Sequence, residues 1–242
     1  MQVLILHGWP QFEIGNYFLT KYFEDKGFIT YTPNLFIDKE IFSAQNILNK
    51  ILSISGGKNI DLIVGISLGG LVEPFIAKEY PKAKLIFISS GPYLKSKTKT
   101  FNYLISFANS KIGSSVLPLM IKMPNLFFRL LFKLANPFKG DKKNKKIYEK
   151  DMVSNIESIK RIPIKKEIEI LKFVNETNNS DLLKKLTNKS LIFNGENDVL
   201  MGKNRGKKLN QLLPNSKLLV TDGSHFDSFT YDNLKQIDSF LN

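Results

Sequence analysis

The sequence predicts an α/β protein: a doubly wound, mainly parallel sheet of six strands with a helical cap inserted into it. Three observations carry this reading. Six short apolar runs have strand character, at residues 2–6, 28–32, 61–65, 84–89, 190–194 and 217–221. Most are continuous rather than alternating, the pattern of strands covered on both faces. Helix-like segments separate them, whereas about a hundred residues between the fourth and fifth runs carry helical patterns and no strand, too long a stretch for a loop.

The elements follow in order. The chain opens on the strand at 2–6, which runs into "HGWP". A helix at 13–26, the strand at 28–32 and a helix at 41–55 come next. The strand at 61–65 meets Gly65-Ile66-Ser67-Leu68-Gly69 and passes into a helix at 68–80, closed by Pro81. Glu73 and Pro74 lie inside that helix, where a proline costs stability. After the fifth strand come a helix at 203–213, the last strand and a closing helix at 231–241. Strand–helix alternation with right-handed crossovers gives a parallel sheet, expected in the order 2-1-3-4-5-6.

In the long stretch, Lys122, Asn125, Arg129, Lys133 and Asn136 recur at spacings of three and four. They predict one narrow polar stripe on a helix otherwise made of Leu, Phe, Met and Ala. Such a helix is expected to bury most of its circumference: against the body, around a lipophilic substrate, or at a membrane interface. Pro124 marks its start or a kink, and the charges at 122, 129 and 133 argue against a spanning helix. Residues 139–150 read as a solvated, lysine-rich linker, with helical patterns resuming through residue 185. The expected division is a core of residues 1–90 and 190–242, and a cap of residues 91–189.

Composition excludes several function classes. Of 242 residues, 43% are hydrophobic and 24% charged, ordinary values for a globular domain. There is no cysteine, hence neither a disulfide framework nor a thiolate metal site. With only two histidines, His7 and His225, a catalytic zinc site is not expected, and no cofactor is required. The net charge of +13 is carried mainly by lysines spread along the chain. No RNP-like or Arg-rich segment accompanies them, so a nucleic-acid partner is not expected, while a weak contact with an anionic membrane surface stays open. The first ten residues are too short and uncharged for a signal peptide, and a cytoplasmic protein is expected.

A serine on a sharp strand-to-helix turn is pushed out over the C-terminal edge of the sheet, and the helix behind it offers free N–H groups to an oxyanion. Ser67 occupies such a turn. A serine hydroxyl needs a base, and His225, in "TDGSHFDSF", follows the last strand at the same edge. The imidazole needs an acceptor behind it. Asp198, in "FNGENDVLM", follows the fifth strand. Glu196 is its nearest competitor; Asp141, Asp151 and Asp181 lie in the inserted stretch, and Asp222 is too near His225 in sequence. The backbone N–H groups of Leu68 and Trp9 are the candidate oxyanion donors, since Pro10 has none. His7 then braces the loop by hydrogen bonding. Trp9 and Leu68 are also the candidate substrate contacts.

Strand-HG-x, G-x-S-x-G, a late Asp and a late His, in that order, resemble the α/β-hydrolase superfamily over nearly the whole chain. The early HG motif leaves no room for that family's usual first two antiparallel strands. The start resembles the compact bacterial and retinoblastoma-binding serine hydrolases, and the cap resembles that of lidded carboxylesterases of the pimeloyl-ester type. The resemblance implies a serine hydrolase acting on a small-molecule ester or thioester, the apolar cap favouring a lipophilic acyl group. A C–C bond hydrolase or a perhydrolase would use the same triad, and the basic surface with the apolar cap helix leaves open a membrane-surface-binding module or lipase. Oligomeric state is not legible.

Overall fold

Six parallel strands form one sheet among the described residues. They are β1 (Gln2–Leu6), β2 (Ile29–Tyr31), β3 (Leu62–Ile66), β4 (Lys84–Ile88), β5 (Ser190–Gly195) and β6 (Ser216–Thr221). Their order is β2-β1-β3-β4-β5-β6, the order expected from right-handed crossovers. The computed structural model describes residues 1–10, 18–36, 39–93, 103, 106–135, 142–198, 201, 203–225 and 228–242.

Period-two alternation along the strands feeds two cores. Leu4, Leu6, Ile63, Leu85, Phe87 and Ile192 face one side, against α2 (Ala44–Ser55), α3 (Leu68–Ala77) and α9 (Lys203–Leu212). Val3, Ile5, Leu62, Val64, Ile86, Ile88 and Phe193 face the other, against α1 (Phe18–Asp25) and α10 (Leu234–Leu241). Burial on both faces explains why the strand sequences read as continuous apolar runs.

Several boundaries move for local reasons. Helix α2 starts three residues later than its pattern, because Ser43 is extended (φ −150°) and accepts from the Asn46 N–H at 3.2 Å as an N-cap. Only 18–25 of the helix expected at 13–26 can be placed, since residues 11–17 lie outside the described residues. The closing helix begins with a 3₁₀ turn, Tyr231–Asn233.

Between β4 and β5 the described residues include five helices: α4 (Lys111–Ile121), α5 (Asn125–Ala135), α6 (Lys142–Arg161), α7 (Ile164–Glu176) and α8 (Ser180–Leu183). Two expectations are corrected here. The polar stripe does not run along one helix. Pro124 supplies no N–H, so the chain breaks there and restarts, with Phe127 N–H bonding the Pro124 carbonyl at 3.0 Å. Lys122 falls in the break, and Asn136 lies outside the described residues. Of the burials expected for the apolar surface, complete packing against the body is not the one taken. Leu126, Leu130 and Leu134, one stripe at four-residue spacing, are 68%, 57% and 64% exposed. The expected lysine-rich linker is also helix from Lys142 onward, part of the 20-residue α6, while 139–141 lie outside the described residues. Lysine is a good helix former, and composition alone hid that. Among the described residues, no helix is long and apolar enough to cross a membrane.

The end of this stretch joins the main core. Ile162, Ile170, Leu183 and Leu186 pack in the same cluster as Leu68 and Leu71. Asn179 also adds a bond beside the proline in α3. Pro74 removes the N–H due to the Gly70 carbonyl and disturbs that turn, and Asn179 Nδ2 donates to the neighbouring Leu71 carbonyl at 2.7 Å. Replacing this buried amide removes that hydrogen bond from a buried site. Asn179→Leu is therefore expected to cost about 1–3 kcal/mol in urea unfolding, with Asn179→Gln between it and wild type.

Candidate active site

Strand register brings the predicted residues to one edge. Leu6 pairs with Gly65 across β1 and β3, so the loop carrying Trp9 and the turn carrying Ser67 leave side by side. Gly195 pairs with Thr221 across β5 and β6, so Asp198 and His225 also leave from paired positions. Hydrogen bonds continue past those strand ends. Glu196 N–H bonds the Thr221 carbonyl at 2.7 Å, and Asn197 N–H the Gly223 carbonyl at 3.0 Å. Gly195 permits this, because a Cβ there would lie 2.3 Å from the Gly223 carbonyl oxygen.

The turn around Ser67 is strained and tightly held. Ser67 has φ +51°, a conformation L-residues rarely adopt. Its N–H bonds the Ile88 carbonyl at 2.9 Å and its carbonyl accepts from Ser90 Oγ at 3.0 Å. A Cβ at Gly69 would lie 2.0 Å from the Leu6 carbonyl oxygen, so the first turn of α3 rests directly on the end of β1. A Cβ at Gly65 would meet the Glu73 carboxyl at 2.3 Å. That carboxyl is fully buried, beside the backbone of Gly65 and Ile86, and no well-formed hydrogen bond reaches it among the described residues. Burial holds its pKa well above the ordinary carboxylate range and so favours the neutral form.

Three of the predicted side chains meet. Ser67 Oγ lies 2.9 Å from His225 Nε2, and His225 Nδ1 lies 2.9 Å from Asp198 Oδ2. All three are buried. A carboxylate only accepts, so the ring carries its proton on Nδ1 and presents a lone pair at Nε2 to the serine hydroxyl. The other Asp198 oxygen accepts from the Met201 N–H at 2.7 Å, which fixes the carboxylate plane. The competing acids are elsewhere: Glu196 and Asp222 are exposed, and Asp181 pairs with Lys184 at 2.8 Å.

The loop after β1 is held from two sides. Leu35 N–H donates to His7 Nε2 at 2.9 Å, so Nδ1 bears the proton and donates to the Gly8 carbonyl, also at 2.9 Å. With both nitrogens used and burial lowering its pKa to about 4, His7 is a neutral brace. Trp9 packs against the core and donates through Nε1 to Glu167 Oε2 on α7 at 2.8 Å. Leu68 is the first residue of α3, so its N–H has no intrahelical acceptor.

Four contributors escaped the sequence reading. Ser89, itself at φ +49°, donates to the His225 carbonyl at 2.8 Å and hydrogen-bonds Ser228. Ser90 holds the Ser67 carbonyl, and Glu167 holds Trp9. "SSG" directly after β4, at the same edge, was the available signal for the two serines; Glu167 had none. Among the described residues no group of His, Asp and Glu has the makings of a metal site.

A family model described as alpha/beta hydrolase fold matches residues 2–231. No curated protein matches the sequence. Among solved structures, an esterase from Exiguobacterium antarcticum superposes with a TM-score of 0.67 at 16% identity, covering 100% of this chain and 90% of its own. A bromoperoxidase from Bacillus anthracis gives 0.74 at 18%, covering 99% and 91%. An enol-lactonase from Burkholderia xenovorans gives 0.73 at 10%, covering 99% and 90%. At these identities the likeness is one of fold.

His7 titrates far below the ordinary value of 6.5, so the unfolded chain binds a proton that the folded one refuses between pH 6.5 and 4. Its contribution to stability is present above that window and lost as pH falls through it. The stability advantage of wild type over His7→Gln in urea unfolding is expected to shrink by about 3 kcal/mol from pH 7 to pH 4.

Proposed function

Because the chain belongs to the α/β-hydrolase fold family, we propose that it is a serine hydrolase cleaving a carboxylic ester or thioester through an acyl-enzyme on Ser67. The observation that carries this is the unbroken hydrogen-bond chain from Ser67 Oγ through His225 to Asp198, each link 2.9 Å. In this reading His225 takes the serine proton as Oγ attacks the acyl carbon. The N–H groups of Leu68 and Trp9 receive the developing oxyanion. His225 then gives its proton to the leaving group and activates water to clear the acyl-enzyme, while Asp198 stabilises the imidazolium. No cofactor enters these steps.

Residues 91–189 act as a cap over this edge, and the Trp9 side chain lines the acyl site. A lipophilic acyl group suits the apolar composition of α4 and α5. The names of the esterase and the enol-lactonase that share the fold are consistent with an ester bond as the target.

A second reading, compatible with the first, has its own observation. From Tyr80 to Gly140 there is no Asp or Glu, while ten lysines and arginines fall there. The exposed stripe of Leu126, Leu130 and Leu134 belongs to this acid-free stretch, with Arg129 and Lys133 on the same helix. An exposed apolar helical stripe flanked by Arg129 and Lys133 suits an anionic lipid surface.

Hydrolysis of p-nitrophenyl esters from acetate to palmitate tests the first reading. Ser67→Ala is expected to lower kcat about a thousandfold or more and to abolish fluorophosphonate labelling. A wild type that neither turns over nor labels would sink it. For the second, co-sedimentation is expected with phosphatidylglycerol-containing vesicles at low salt. Binding should fall at high salt, with phosphatidylcholine alone, and in the Leu126→Ser, Leu130→Ser double variant. Pelleting indifferent to salt and to the leucines would rule it out.

A further inference from the structure

The geometry points to Glu167 as a positioning residue that makes the oxyanion loop answer to pH: by holding the Trp9 indole it fixes the loop, and by ionising it opposes the oxyanion. This rests on the serine-hydrolase reading above and adds a regulator to that site.

Glu167 reaches the site from α7, 158 residues away in sequence from the tryptophan it holds at 2.8 Å. Its side chain is 2% exposed. Only one of its oxygens is occupied: Oε1 has no hydrogen-bond partner among the described residues. The nearby charged groups are otherwise engaged. On its own helix, Lys166 bonds the Glu40 carbonyl and pairs with Glu169, which also accepts from the Phe42 N–H. From the body, Lys50 donates to the Asn34 carbonyl, His7 is neutral with both nitrogens used, and Asp198 and His225 face each other. A lone carboxylate buried this way lacks a counter-charge. Burial pushes its pKa up to about 8, although a bond from Trp9 and a place in the first turn of a helix both favour the ionised form.

Below that value a proton on Oε1 keeps the group neutral while Oε2 accepts from the indole. Above it, a negative charge stands one indole ring from the loop that must receive a second negative charge. Two like charges in a buried site are poorly screened. The oxyanion exists only on the way through the reaction, so the penalty falls on kcat and spares KM.

Trp9 is the protein's single tryptophan, so emission excited clear of tyrosine reports the surroundings of this one indole, and Glu167→Gln isolates the carboxyl's share. Between pH 6 and 9.5 the wild-type emission should show one step with a midpoint near 8, absent in Glu167→Gln. Over the same range the wild-type kcat on p-nitrophenyl butyrate should fall about fivefold with KM unchanged. Glu167→Gln should remove that alkaline decline. Glu167→Leu, which lacks an acceptor for the indole, should lower kcat about tenfold at pH 7, and Glu167→Gln should recover most of the loss. A flat wild-type emission titration, or an equal step in Glu167→Gln, would overturn the proposal while fluorophosphonate-labelled Ser67 upheld the hydrolase reading. An unlabelled Ser67 would overturn the hydrolase reading, and the oxyanion role of Glu167 with it.

Discussion

The structure depends on how closely the first turn of α3 approaches the end of β1. The place where a Gly69 Cβ would stand is 2.0 Å from a Leu6 carbonyl oxygen, so any side chain there would force the helix off the sheet. Because the helix stays down, the chain must reverse within the few residues before it, and Ser67 is driven to φ +51°. A serine in that region costs about 1–3 kcal/mol. The cost is met from outside the turn, by the Ile88 carbonyl at the end of β4 and the Ser90 hydroxyl just past it. What the strain achieves is placement: Oγ stands over the sheet edge, 2.9 Å from an imidazole that arrives from the far end of the sequence.

Around this turn, three ionisable groups are pushed by burial toward their neutral forms. His7 cannot readily take a proton, and Glu73 and Glu167 do not readily lose theirs. Asp198 aside, polar groups that burial keeps neutral suit the proposed reaction, in which charge appears transiently and a fixed ion beside the oxyanion would pin or repel it. Glu73 shows the packing side of the same arrangement. It fills the space that the missing Gly65 side chain leaves, so the glycine and the acid are two halves of one contact.

Much of this was legible in the chain. Continuous apolar runs gave six strands and their order, because burial on both faces leaves that signature. Ser67, Asp198 and His225 were readable because each directly follows a strand, and strand ends in a parallel sheet share an edge. What sequence hid was pairing at long range. Nothing local marks Glu167 as the partner of Trp9, or Asn179 as the donor to Leu71. The region between β4 and β5 misled for a different reason. Helical periodicity records which residues share a face, and it cannot say that Pro124 splits the face in two or that solvent covers it. Lysine-rich residues before α6 and within it look alike by composition.

Ser89 ties the main-chain carbonyl of His225, not its ring, to the end of β4. The histidine therefore takes its height above the sheet from a neighbouring strand and its direction from Asp198. Its own loop is tied down as well, through the Gly223 carbonyl to Asn197 and through Ser228 to Ser89. Such an arrangement makes the position of the imidazole depend on the residue at the end of β4 even with Asp198 in place. It places the burden of constancy on a serine that touches no reacting atom.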